Sequence, residues 1–275
     1  MSIKSILAAY SGDASGSSGL KMALLMARKY DAHITAAVWH GPSLLESRYR
    51  SYMNREVLDI LSNRDAEAVA EIRRDFEARM AADGEGVQAD FLDLAGVSDF
   101  SLADCARGYD IVVMGARAAE VGREHFAARP DVVALRSGRP LILVPHEWSA
   151  PHLNDHALVA WDGKRAAARA LGDAMHILET KSRITVLTIG DHEPREKPGD
   201  DVIRLLERHG LEAERLIRPA GRDGIARTIL DSCREVGAGL LVMGAYEHSK
   251  FSEDLLGGVT NDIFREADVP VLMSH

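Results

Sequence analysis

Apolar residues along the chain follow two alternating patterns: short, near-continuous runs, and longer stretches in which they recur every three or four positions. In the second half the runs predict strands at about 157–161, 183–189, 214–219, 239–244 and 269–274. The periodic stretches between them predict helices at about 165–179, 201–209, 224–236 and 260–267. Near-continuous apolar strands alternating with amphipathic helices imply a parallel sheet covered on both faces, a doubly wound α/β fold.

The pattern occurs twice. Val113-Met114-Gly115-Ala116 returns as Val242-Met243-Gly244-Ala245, and Pro140-Leu141-Ile142-Leu143 is echoed by Pro270-Val271-Leu272-Met273. Earlier landmarks keep a wider offset, with Ser11-Gly12 opposite Asp162-Gly163 and Ile34-Thr35 opposite Ile184-Thr185. The first copy therefore carries extra residues, and they fall in 43–80, where Val57, Ile60 and Leu61, then Val69, Ile72 and Phe76, have helical spacing. This predicts an extended helix or helical hairpin inserted into a first domain, 1–148, followed by a second domain, 155–275. The seam, 146–156, contains Pro and His without periodicity and reads as a linker.

Composition narrows the function. The chain has 275 residues, 46% hydrophobic and 27% charged, which excludes disordered and low-complexity classes. Its 33 Lys and Arg against 42 Asp and Glu give a net charge of −9, and no basic run is interleaved with aromatics. Nucleic acid and anionic membranes are therefore not expected partners. No apolar stretch approaches the roughly 20 residues of a membrane-spanning helix. The apolar run 6–10 stops at Ser11-Gly12-Asp13 without a signal-peptide pattern, so a cytoplasmic protein is expected. Cys105 and Cys233 precede Gly115 and Gly244 by ten and eleven residues, one helix position used twice, which predicts small buried residues rather than a redox pair.

In an open parallel sheet, ligands bind beyond the carboxyl ends of the strands where strand order reverses. In the second copy that place is formed by Asp162-Gly163 and the segment from Gly244, whose Gly257, Gly258 and Val259 precede a helix. Main-chain N–H groups at such a helix start cradle anions, although a loop that needs glycine for its turns has the same composition.

Residues 244–260, with Gly244 and Gly257 in register, resemble the nucleotide-binding motif of the universal stress protein family, a Gly, two residues, Gly, nine residues, then Gly followed by Ser or Thr. The likeness covers both halves. It implies in each domain a five-stranded sheet of order 3-2-1-4-5, and an adenine nucleotide, ATP or AMP, in the second. Asp162 would contact adenine, Thr188 would offer its backbone beside it, Met243 and Gly244 would lie along the ribose, and Gly257, Gly258, Val259 and Thr260 would meet the phosphates.

Two positions depart from the motif: Glu247 replaces a Gly, and Gly258 a Ser or Thr. A carboxylate about 4 Å from a phosphate costs roughly 4 kcal/mol at an effective dielectric near 20, unless Glu247 swings to solvent or a Mg²⁺ ion makes it a ligand. The first copy is further eroded, with Ser11, Ala118, Ala128, Arg129 and Pro130 opposite Asp162, Glu247, Gly257, Gly258 and Val259, so no nucleotide is expected there. Its run 11–19 is expected to cap a helix.

Other chemistry finds less support. Ser11-Gly12-Asp13-Ala14-Ser15 lacks the spacing of a pyrophosphatase loop, and no Walker, GxSxG or HExxH pattern occurs. His146, His152 and His156 read as solvated linker residues, and 193–201 as a mobile loop. The apolar fifth strands, 141–144 and 271–273, need cover as sheet edges, and in this family they meet across a dyad. A pseudo-dimer within the chain is expected, with room for further homodimerisation. The functional expectation is a non-enzymatic stress-response regulator that binds adenine nucleotide in its second domain. The alternatives are a nucleotide-free module that recruits a protein partner through 43–80, or a slow ATP hydrolase using Glu247.

Overall fold

The structure, a computed structural model, describes residues 2–42, 44–94, 101–116, 126, 128–190, 199–245 and 258–275. The first copy contains β1 (Ser5–Ala9), α1 (Ala14–Tyr30), β2 (His33–Val38), α2 (Leu44–Tyr49), α3 (Arg55–Asp83), β3 (Ala89–Asp93), α4 (Leu102–Ala106), β4 (Ile111–Gly115), α5 (Pro130–Arg136) and β5 (Leu141–Val144). The second contains β6 (His156–Ala160), α6 (Arg165–Leu178), β7 (Arg183–Ile189), α7 (Asp200–Arg208), β8 (Ala213–Arg218), α8 (Gly224–Val236), β9 (Leu240–Gly244), α9 (Val259–Glu266) and β10 (Val271–Ser274).

All ten strands form one sheet in the order β3-β2-β1-β4-β5-β10-β9-β6-β7-β8. Each half thus has the expected 3-2-1-4-5 order, and its strands pair in parallel. The halves join through their fifth strands, which pair antiparallel with Val271 opposite Leu143, Leu272 opposite Ile142 and Met273 opposite Leu141. These side chains are at most 2% exposed, so each copy covers the edge that the other would leave open.

Strand alternation divides the core into two layers. Ile6, Ala8, Val186 and Leu272 face α1, α3, α6 and α7. Leu7, Ala9, Leu187 and Met273 face α4, α5, α8 and α9. Local signals set the helix starts. The Asp13 carboxylate accepts the Gly16 N–H at 2.7 Å, so the expected cap on α1 is real. Asn54 caps α3 in the same way, and Pro130 opens α5 at its first turn. Cys105 and Cys233 are buried in α4 and α8, and burial raises both thiols, Cys233 to about 12. Neither is a ready nucleophile.

Two expectations change. The inserted segment is α2, a 3₁₀ turn at Arg50–Tyr52 and the 29-residue α3. Ala68, Val69, Ile72 and Phe76 of α3 are buried as the periodicity implied, but Val57 and Ile60 are exposed. His156 is not a solvated linker residue: it opens β6 and is 4% exposed. Its Nδ1 lies 3.0 Å from the Val236 carbonyl, and its Nε2 lies 2.9 Å from the Thr185 hydroxyl, which donates to Glu214 at 2.8 Å. Sequence context assigned it to the seam because that stretch contains Pro and His without periodicity, whereas its imidazole meets the carbonyl that ends α8 and a β7 hydroxyl inside the fold. The connection before it is pinned to α1: Ser18 donates to the His146 carbonyl at 2.5 Å and Lys21 to the Ser149 carbonyl at 2.8 Å. Most of 193–201 lies outside the described residues.

Candidate functional site

The carboxyl ends of β7, β6 and β9 are adjacent in the second half of the sheet, and the residues picked out by the motif stand there. After β6 the chain turns at Trp161-Asp162-Gly163, and the Trp161 N–H, bonded to the Leu187 carbonyl at 2.8 Å, fixes the turn on β7. One Asp162 oxygen accepts the Lys164 N–H at 3.1 Å, and the other lies 4.0 Å from the Lys164 ammonium. The side chain remains 55% exposed at the rim of the sheet. Gly163 has φ 75°, with open space where a side chain would stand. The turn thus holds a carboxylate in place while leaving its outer face free.

Thr188 lies near the end of β7, paired with Ile217 of β8. It is 5% exposed, and its hydroxyl has no hydrogen-bond partner among the described residues. Strand alternation turns this side chain towards α7, where the hydroxyl lies 3.5 Å from the Cβ position of Gly199. Only the main chain of Thr188 is then available to a ligand on the α8 and α9 side. Ser274, opposite Gly244 in the β9 and β10 register, also has a buried hydroxyl without a partner among the described residues.

Met243 points into the core beneath α8 and α9 and is 5% exposed. Gly244 has a packing reason of its own. A Cβ there would lie 2.5 Å from both Ala166 C and Ala167 N in the first turn of α6. The glycine therefore lets α6 close on β9, independently of any ligand.

At the start of α9, Gly258 adopts φ 141° and ψ 162°, a conformation open to glycine alone, and among the described residues no side chain caps the helix. A Ser or Thr in this position would be strained, which accounts physically for one departure from the motif. The Gly258 carbonyl accepts the N–H groups of Asn261 and Asp262 at 3.0 and 3.2 Å. Val259 begins the helix, Thr260 is buried behind it, and no described atom lies within 4 Å of where a Gly258 Cβ would stand. Glu247 and Gly257 lie outside the described residues.

The matching place in the first copy is built differently. Ser11 stands where Asp162 would be, and Gly16 packs with its Cβ position 3.1 Å from Ser11 N. Phe126 is 3% exposed, with its ring 4.5 Å from that of His40, and with Trp39, Leu102 and Met114 it lines a hollow beside Ser11. The Arg129 guanidinium is held by Asp131 at 2.7 Å, and Pro130 supplies no N–H at the start of α5. Trp39 and Phe126 belong to no motif, so sequence reasoning missed them; only their aromatic bulk next to the strand ends marks them. Ala118 lies outside the described residues. Among the described residues no cluster of three His, Cys, Asp or Glu could hold a metal, and no helix is long and apolar enough to cross a membrane.

Residues 154–275 match the model of the Universal stress protein family. No relative among the curated proteins matches the chain. Among solved structures, a universal stress protein from Archaeoglobus fulgidus superposes with a TM-score of 0.71 at 18% identity, covering 98% of this chain and 95% of that one. A functionally unknown protein from Pseudomonas aeruginosa gives 0.55 at 17% identity, over 99% and 92%. At these identities the likeness is one of fold, and it spans both halves.

Proposed function

We propose that this chain, whose C-terminal half belongs to the universal stress protein family, is a stress-response regulator that binds one adenine nucleotide at the carboxyl edge of β7, β6 and β9. The observation that carries this reading is convergence. Asp162, the main chain of Thr188, Met243 and Gly244 stand at the ends of three adjacent strands, at the point where the order reverses. Asp162 is positioned by its own turn and has a free outer face, as reading the exocyclic amine of a purine requires. Among the described residues no side chain caps the start of α9, so the amides from Gly258 to Thr260 are suited to a phosphate tail.

The residues fit the group as far as they are described. Asp162 would hold the base, and Gly258, Val259 and Thr260 the phosphates. A bound Mg²⁺ would neutralise phosphate charge and turn Glu247 from a repelling group into a ligand. The first copy serves as the structural partner: Ser11 replaces the carboxylate, Pro130 removes a donor, and Phe126 occupies the neighbouring space.

Mass spectrometry of nucleotides released from the purified, denatured protein tests this reading and separates ATP from AMP. The expected result is an adenine nucleotide at no more than one per chain, lost in Asp162→Ala. A protein that releases none, and takes up none at millimolar ATP or AMP, refutes it.

A further inference from the structure

α3 spans 29 residues, about 43 Å, yet its buried residues begin only at Ala68. Before that point Val57 is 39% and Ile60 60% exposed, and Tyr52, ahead of the helix, is 85% exposed. Leu58, Leu61 and Asp65, on the neighbouring flank of the helix, are half-buried. Met53, Val57, Ile60 and Arg64, spaced by four, three and four residues, form a second stripe on the outer flank. Val57 and Ile60, exposed together on one flank with half-buried Met53 in the same stripe, mark a contact surface.

The charges beside the stripe indicate what covers it. Glu56 and Arg64 stand four residues before and four after Ile60; both are exposed, and among the described residues neither forms an ion pair. In a parallel pairing of two such helices, Glu56 would face Glu56 and Arg64 would face Arg64. In an antiparallel pairing centred on Ile60, each Glu56 meets the second copy's Arg64, and the attraction forms twice.

We propose that the N-terminal half of α3 docks on the same segment of a second copy of this chain, as an antiparallel helix pair with Ile60 at the dyad. Val57 flanks the axis, one Glu56–Arg64 pair lies on either side of it, and Met53 stands beyond them ahead of the helix. An interface of this length falls at the small end of the specific range, so the dimer is concentration-dependent. The surface is remote from the candidate nucleotide site and does not depend on it.

Sedimentation velocity on the full chain, from about 1 μM to about 500 μM, spans the affinities that small interfaces reach. The mass is expected to rise from 30.0 kDa towards twice that value. Ile60→Asp is expected to remain monomeric throughout, with an unchanged circular dichroism spectrum because Ile60 is exposed. Glu56→Arg and Arg64→Glu should each raise Kd roughly tenfold or more by replacing two attractions with two repulsions, and the double variant should return within about threefold of the original. A wild-type chain that stays monomeric overturns the proposal. So does a dimer that survives Ile60→Asp, or a double variant no better than the single ones.

Discussion

Gly244 ends β9 with the first turn of α6 lying across it, so replacing it by alanine tests whether the motif glycine is held by packing. The added Cβ would stand 2.5 Å from Ala166 C and Ala167 N and 2.8 Å from Ala166 Cβ. Ordinary contact is near 3.5–4.0 Å, so α6 would have to retreat by about 1 Å. Two of these three neighbours are backbone atoms, and no rotamer change can relieve them. The retreat would loosen Ala170, Leu171 and Ala174, which are all at most 1% exposed against the sheet. Overpacking of this kind costs typically 1–3 kcal/mol, and a backbone clash belongs at about 3 kcal/mol. In a domain of this size that lowers Tm by roughly 6–10 °C. Gly172, in the same helix, is the control: it has open space around its Cβ position and ordinary helical backbone, so Gly172→Ala should stabilise by about 0.5–1 kcal/mol. Urea unfolding followed by tryptophan fluorescence measures both. Gly244→Ala within about 0.5 kcal/mol of the parent would refute the packing account and return the glycine to a purely ligand-facing role.

Stability should also depend on pH through His156. Burial holds its folded-state pKa below the ordinary 6.5, with Arg183 adding to the effect, so the unfolded chain binds the extra proton first. That contribution is complete above about pH 6.5 and is lost as pH falls through the lower folded value; a stability profile as steep in His156→Gln as in the parent would contradict it. Lys181 behaves in the opposite range. Burial, reinforced by Lys29, pulls its pKa down to about 8, so its penalty is full below about pH 8 and fades towards 10.5. Lys181→Met should therefore stabilise by about 1–3 kcal/mol at pH 7 and by much less near pH 10, as equilibrium unfolding at the two values would show. Asp162→Ala removes only a turn contact from an exposed side chain, so its unfolding midpoint should stay within about 1 kcal/mol of the parent.

The strand and helix pattern was legible because burial on both faces of a parallel sheet leaves a strong period. The runs around Ile184, Leu241 and Leu272 correspond to β7, β9 and β10 to within a residue or two at their ends. The duplication carried the topology, since two copies each needing an edge covered point to one another. Less was legible where one residue type satisfies two demands. Gly244 looks the same to sequence whether it admits a ribose or a helix, and its Cβ distances to Ala166 and Ala167 demonstrate the second demand. Periodicity identified the apolar stripe of α3 but not what covers it, so Val57 and Ile60 read like Val69 and Ile72 although only the latter pair is buried. His156 was misread because a stretch without periodicity says nothing of Thr185 and Val236, which reach it from distant parts of the chain.

The most direct test of the central claim is calorimetric titration of the full chain with ATP and Mg²⁺, beside Asp162→Ala and Ser11→Ala. The account predicts one site per 30.0 kDa chain, abolished by Asp162→Ala and untouched by Ser11→Ala. Two sites per chain, no heat at millimolar nucleotide, or binding that survives the loss of the Asp162 carboxylate would contradict it.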